Sequence, residues 1–503
     1  MQPPDLEEMT IDQLQALMDR KRLSAEALVD LYLERIEAID RHGPQLKSIL
    51  EINPVAQNIA RGLDRERERT GSRGPLHGIP VLLKDNIDTA DAMTTTAGSL
   101  ALLGARRARD AFVARQLRQA GAVLLGKANM SEWANFRSTH SSSGWSGRGG
   151  QGRNPYALDR SPCGSSSGSA SAVAANLAVV SLGTETDGSI LCPASVNSVV
   201  GIKPTVGLTS RSGVVPVAHS QDTVGPFART VADAAAVLAA IAGVDPDDPA
   251  TEASAGQTVA DFAPYLDPDG LRAARIGVAR EVYFGYSEKC DALAEEAITV
   301  MKELGAVLVD PANIPTAQQM HAGDAELEVL CYEFKADLND YLAKLGHDAH
   351  VHALQDVIDF NERHAAEELT YFGQELLYKA QAKGPLTDSA YREALAQNHR
   401  LAREEGIDAI MDEFELDALV MPSGSPPWKI DLIDGDHYMG GCAQPAALAG
   451  YPAISVPAGY AHGLPVGITL MGRAYSEATL IRLAFAFEQA TKARRPPRFV
   501  TSI

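Results

Sequence analysis

Short apolar runs bracketed by glycine, proline or charge recur along the chain. They are GIPVLLKD (78–85), GAVLLGK (121–127), LAVVSLG (177–183), ARIGVA (274–279), GAVLVD (305–310), LDALVMP (416–422), PAISVP (452–457) and PVGITLMG (465–472). Near-continuous hydrophobicity over four to eight residues marks strands buried on both faces, and helical patterning separates many of them. LSAEALVDLYLERIEAID (23–40) is one such helix. Ser24 is its predicted N-cap, Glu26 lies in the first turn, and Leu28, Leu31, Tyr32 and Ile36 form one apolar stripe. Buried strands interleaved with amphipathic helices predict an α/β fold, layered around a large sheet.

One stretch breaks this rhythm. From about 319 to about 415 strand signals are few and helical periodicity dominates, as in GDAELEVLCYEFKADLNDYLAKL, before strands resume at Leu416. A length of 503 residues calls for two domains or one large domain with an insertion. The resumption of strands selects the second: a single domain over 1–503, with a mainly helical insertion or cap at 319–415.

Composition narrows the function classes. A net charge of −20 argues against nucleic-acid and anionic-membrane partners. No run of about 18 apolar residues marks a membrane span. Five cysteines, Cys163, Cys192, Cys290, Cys331 and Cys442, form no CxxC pair, and their odd, sparse count predicts neither a zinc site nor a disulfide framework. The acidic N-terminus, MQPPDLEEMT, lacks the basic-then-apolar layout of a signal peptide. A cytoplasmic protein is expected, or the processed form of an exported one, and a monomer.

Three stretches carry candidate chemistry. RSPCGSSSGSASAVAANLA (160–178) is a Gly/Ser loop running into a helix of small residues. A flexible linker would have polar flanks, and these are apolar. A Walker phosphate loop would end in Gly-Lys-Ser/Thr, whereas this one ends in Gly168-Ser169-Ala170. Gly164-Ser165-Ser166-Ser167-Gly168 matches the G-x-S-x-G nucleophile elbow, but no buried strand precedes it. A relay serine within the loop is the third reading. Lys84 closes the apolar run Ile79 to Leu83. A lysine at the end of a buried strand loses solvation, which favours the neutral amine and so a base; an ion pair with Asp85 would instead keep it charged. Between two apolar runs, Thr186, Asp187, Gly188 and Ser189 form a loop of small residues. Such a loop presents successive backbone N–H groups to a developing oxyanion, with Ser189 placed as nucleophile.

Together the three pieces resemble the amidase signature family of serine hydrolases. The likeness is carried by GIPVLLKDNID, GKANMSEWANF, CGSSSGSASAVAANLAVVSLGTETDGSILCPAS, GIKPTVGLTSRSGVVPVAHSQDTVGPFARTVADAA and GCAQPAALAGYPAISVPAGYAHGLPVGITLMG, from about residue 23 to about 490. The resemblance implies one large α/β/α domain around a mixed central sheet, no cofactor and no metal. It also implies a Ser–Ser–Lys triad, with Ser189 as nucleophile, Ser165 as bridging serine and Lys84 as ultimate base. The oxyanion hole would be the N–H groups of Thr186, Asp187, Gly188 and Ser189.

Several positions depart from the family pattern. Asp187 stands where a second glycine is common, Leu191 where an arginine is common, and Cys163 and Ser167 where glycines are common. These changes most resemble the bacterial peptide amidases, which remove the amide from a peptide C-terminus. The expected substrate is therefore a small-molecule or peptide amide, with Cys192 and Pro193 part of a wall behind the nucleophile. An amidase subunit of a tRNA-dependent amidotransferase, a general aliphatic or fatty-acid amidase, and a catalytically silent binding protein on the same fold are the alternatives. The presence of Lys84, Ser165 and Ser189 weighs against the last. His347, His350 and His352 cluster in GHDAHVHAL without a ligand motif, and Asp222 in SQDTVGPF reads as a structural hydrogen-bonding residue.

Overall fold

The computed structural model describes residues 6–347 and 349–503. Eleven strands form one sheet. In chain order they are β1 (Ile49–Ile52), β2 (Pro80–Lys84), β3 (Val123–Ala128), β4 (Val180–Glu185), β5 (Val200–Lys203), β6 (Thr223–Ala228), β7 (Arg275–Val278), β8 (Val307–Val309), β9 (Ala418–Pro422), β10 (Ala453–Ala461) and β11 (Leu464–Met471). Their spatial order is β1-β3-β2-β4-β6-β5-β10-β11-β9-β7-β8. The sheet is mixed, as expected: β3, β2 and β4 run parallel, as do β8, β7 and β9, while β4, β6, β5, β10, β11 and β9 pair antiparallel across the middle.

Each apolar run singled out in the sequence overlaps one of these strands. Every residue of β2, β3, β4, β6, β9 and β11 is buried, because helices cover both faces. Alternation along β9 shows this directly. Ala418 and Val420 join a core with Val231, Val237, Leu480 and Leu483 of the helices Val231–Ile241 and Glu477–Thr491. Leu419 and Met421 point the other way, into a core with Leu401, Met411 and Leu448. The early helix spans Ala25–Arg35, capped by the Ser24 side chain accepting from Ala27 N, with Leu28 and Tyr32 buried.

Between β8 and β9 the described residues contain helices and no strand. The longest, Ala325–Ala343, buries Cys331, Phe334, Leu338 and Leu342 against Trp133, Phe136 and Val217. An ion network ties this stretch to the body: the Arg137 guanidinium is fully buried between Glu132 and Glu368 and lies 4.2 Å from the Phe372 ring centroid.

One expectation is overturned. Cys163 and Cys192 form a disulfide, with Cα atoms 6.2 Å apart, while Cys290, Cys331 and Cys442 are free and buried. Cysteine count and spacing are blind to it, because the partners lie 29 residues apart and meet only where the two serine-bearing loops pack together.

Candidate active site

Lys84 is the last residue of β2, and its side chain is fully buried. Its Nζ lies 2.7 Å from Ser165 Oγ, 2.8 Å from Thr184 Oγ1 and 3.1 Å from Thr184 O. It forms no ion pair with a carboxylate among the described residues. Burial lowers its pKa from the ordinary 10.5 to about 7, against the weaker pull of Asp222 and Glu185. Asp85, the residue that could have held it charged, turns away: it pairs with Arg148 Nη1 at 2.9 Å and accepts from Thr96 Oγ1 and Gly98 N. The strand's alternation explains the split, since neighbouring side chains leave on opposite sides.

Ser165 lies in the loop before the helix Ser167–Ala174, where the sequence placed a relay serine. Its carbonyl accepts from Ser131 N at 3.0 Å, and Ser166 N donates to Ser189 O at 3.4 Å. The loop is seated hard. A Cβ on Gly164 would lie 2.0 Å from Ser131 Oγ, so only glycine fits there. Ser166 bridges the loop to β4, donating from its hydroxyl to Thr184 O and accepting from Thr184 N.

Ser189 follows the end of β4 and is 6% exposed. The turn that presents it needs Gly188 for its φ of +75° rather than for space, since a Cβ there would meet only Ala443 Cβ at an ordinary 3.6 Å. The buried Glu185 carboxylate accepts from the N–H groups of Ile190 and Leu191 and so holds the turn from behind. The N–H groups of Thr186, Asp187, Gly188 and Ser189 donate to no protein acceptor among the described residues. Asp222 binds the loop from the other side: it accepts from Thr186 Oγ1 and from Val217 N and Ala218 N, in keeping with a hydrogen-bonding residue. Burial raises its pKa to about 6.

Asp187 does not point into solvent at large. Its side chain is accessible yet enclosed by protein, and it meets the Glu326 carboxyl in hydrogen-bond contact. Glu326 in turn accepts from Gln221 Nε2 at 3.1 Å and Gln444 Nε2 at 2.9 Å. Burial and this neighbour push the Asp187 carboxyl well above the usual carboxylate range. Sequence reading found Asp187 but not Glu326, Gln221, Gln444, Thr184 or Glu185 as parts of the site. Each of them lay within a stretch quoted from the sequence, but nothing local marked it as part of the site. Leu191 is fully buried in the core on that face of the sheet and does not line the site. His347, His350 and His352 are exposed. A histidine outside that cluster, His219, meets two carboxylates, 2.9 Å from Asp337 and 3.4 Å from Glu333.

A buried lysine of lowered pKa against a serine hydroxyl, beside a second serine on a turn with open N–H groups, is equipment for acyl transfer. Comparison with known proteins agrees. The chain is 52% identical to the peptide amidase of Stenotrophomonas maltophilia, whose crystal structure superimposes with a TM-score of 0.94 over 99% of this chain and 100% of that one. It is 45% identical to a probable amidase of Arabidopsis thaliana, covering 98% of this chain and 92% of the relative. It is 36% identical to a glutamyl-tRNA(Gln) amidotransferase subunit of Moorella thermoacetica, covering 97% of each. The family model described as Amidase matches residues 27–481, and the chain belongs to that family of amide-hydrolysing enzymes.

Proposed function

We propose that this amidase removes the amide from the C-terminus of peptides, through an acyl-enzyme on Ser189. The observation that carries the mechanism is the 2.7 Å contact of the fully buried Lys84 Nζ with Ser165 Oγ. A neutral amine has two N–H groups and one lone pair. Thr184 O and Thr184 Oγ1 take the two N–H groups, which leaves the lone pair for the Ser165 hydroxyl.

Ser189 Oγ attacks the amide carbon as its proton passes to Ser165 and the Ser165 proton passes to Lys84. The resulting oxyanion is met by the N–H groups of Thr186, Asp187, Gly188 and Ser189, which the loop aims without reorganisation. The C–N bond then breaks. Lys84 returns its proton through Ser165 to the leaving nitrogen, which departs as ammonia. Water adds to the Ser189 ester by the same relay and releases the carboxylic acid. The bonds balance as amide plus water giving acid plus ammonia, with no redox step.

The peptide amide as substrate is supported by the 52% identity to a peptide amidase over nearly the whole chain. It is tested by mass spectrometry of one peptide in three forms: amide, free acid and extended by one residue. The amide alone should gain about one mass unit, as NH2 is replaced by OH. Efficient cleavage of the extended peptide would refute an exopeptide amidase. A role within a tRNA-dependent amidotransferase is the second reading, favoured by the 36% identity to a subunit of that enzyme and opposed by the net charge of −20, since tRNA binding draws on basic surface. Ammonia release from peptide amides by the protein alone decides for the first.

A further inference from the structure

Cys163 and Cys192 stand two residues before Ser165 and three after Ser189, and the bond between them joins the two serine-bearing loops. Both are nearly buried, 4% and 7% exposed, packed with Val196 and Trp428. Noncovalent contact between the loops is lighter. Near the serines it is the 3.4 Å bond from Ser166 N to Ser189 O. Farther away, Asn197 Nδ2 donates to Pro162 O at 2.8 Å. A second feature sits at the same residue. Cys163 has a φ of +52°, in the left-handed region that glycine enters freely and a side chain enters only at a cost. Some interaction of the side chain must offset that cost, and the bond to Cys192 is the one it makes across the site.

We infer that Cys163 and Cys192 are positioning residues: their disulfide fixes the loop of Ser165 against the turn of Ser189, so that the proton relay holds its length through turnover. This rests on the assignment of Ser165 and Ser189 proposed above. Proton transfer between two hydroxyls and an amine requires heavy atoms within hydrogen-bond reach, and a displacement of about 1 Å costs on the order of a hundredfold in rate. Lys84 and Ser131 N anchor Ser165 from behind, and Glu185 anchors the turn of Ser189. The disulfide spans the gap between these two anchored halves. Turnover then depends on the bond. Dithiothreitol, oxidised to its cyclic disulfide, supplies two electrons and two protons, and two thiols replace the S–S bond. Such an enzyme keeps its full rate in an oxidising compartment and loses it among reducing thiols.

The test combines a non-reducing peptide map with kinetics. In the native enzyme the peptides of Cys163 and Cys192 should run as one linked species. A Cys163→Ala/Cys192→Ala variant should show kcat lower by about tenfold per active site titrated with a fluorophosphonate, and KM within about twofold of the parent. Counting only titrated sites removes any loss of folded protein, which a purely structural bond would produce. A Cys163→Gly/Cys192→Ala variant separates two roles, since glycine relieves the left-handed backbone. It should stay as slow as the alanine variant. Free thiols at both positions in the native enzyme, an unchanged kcat per titrated site, or recovery of full kcat in the glycine variant would each overturn the inference. If neither variant folds, the wild-type enzyme reduced in its folded state, with the broken link verified by mass, is measured by the same criteria. Fluorophosphonate labelling elsewhere than Ser189 would instead sink the catalytic assignment itself.

Discussion

Lys84 is the residue whose replacement tests most of this reasoning at once. Its amine is fully buried, with no carboxylate ion-paired to it among the described residues, and its pKa falls from 10.5 to about 7. Two consequences follow, one for rate and one for stability. For rate, the relay needs the neutral amine. With an apparent pKa near 7 that belongs to the coupled lysine–serine group, kcat/KM should rise about tenfold from pH 5 to 6, gain about fivefold from pH 6 to 7, and level off above about pH 8. Lys84→Met keeps the length of the side chain but removes the lone pair, and should cost at least about a hundredfold. Lys84→Arg keeps a donor but is always charged, and should be equally poor. For stability, moving a pKa from 10.5 to about 7 corresponds to a ceiling of about 5 kcal/mol against folding, since each pKa unit is about 1.4 kcal/mol. The sign is that of a depressed base. Between pH 7 and 10.5 the unfolded chain binds more protons, so the penalty is full below pH 7 and fades as pH rises to 10.5. The lost hydrogen bonds to Thr184 and Ser165 cancel part of it, about 1 kcal/mol each. Lys84→Met should therefore gain stability relative to wild type at pH 6, and the gain should shrink by pH 10. Denaturant unfolding at both pH values, with peptide-amide kinetics from pH 5 to 9, checks both. An active Lys84→Arg variant, or a flat profile between pH 5 and 7, would refute the neutral-base argument.

Further outcomes are expected. Ser189→Ala should lose nearly all activity, and a fluorophosphonate should modify Ser189 alone in intact protein; labelling at Ser166 would restore the nucleophile-elbow reading. Glu326→Gln removes one carboxyl of the pair that Asp187 shares. Because raised carboxyls bind more protons in the folded state, wild-type stability falls as pH climbs above the ordinary carboxylate range. The variant should show a shallower fall in Tm between pH 5 and 8 by calorimetry; an unchanged slope would mean that the wild-type pair holds no raised carboxyl. Arg137→Ala leaves Glu132 and Glu368 buried without their cation, at a cost of about 3–5 kcal/mol. In a chain of this size that is a fall in Tm of roughly 3–5 °C by calorimetry, and a fall below about 1 °C would mean that the two acids are held neutral without it.

The sequence alone determined the buried strands, because a strand covered on both faces can carry almost nothing but apolar residues. β2, β3, β4 and β9 were legible for that reason. It also marked the small-residue loops proposed to carry the chemistry, since N–H groups can face a substrate only where side chains are small. β1 was missed because ILEI at a sheet edge is half exposed and carries a charge. β6 was missed because Gly225 and Pro226 interrupt TVGPFA; Gly225 is demanded by a neighbouring backbone, where a Cβ would meet Ile202 O at 1.9 Å. What only the tertiary structure decided is pairing over distance. Lys84 meets Ser165 across 81 positions, Cys163 meets Cys192 across 29, and Asp187 meets Glu326 on a helix that begins far down the chain. Local pattern records how each residue is buried, not which residue it is buried against. The choice between a charged Lys84 paired with Asp85 and a neutral one against Ser165 was of this kind. The pleat at the end of β2 sent the two side chains to opposite faces, where Asp85 met Arg148 and Lys84 was buried against Ser165.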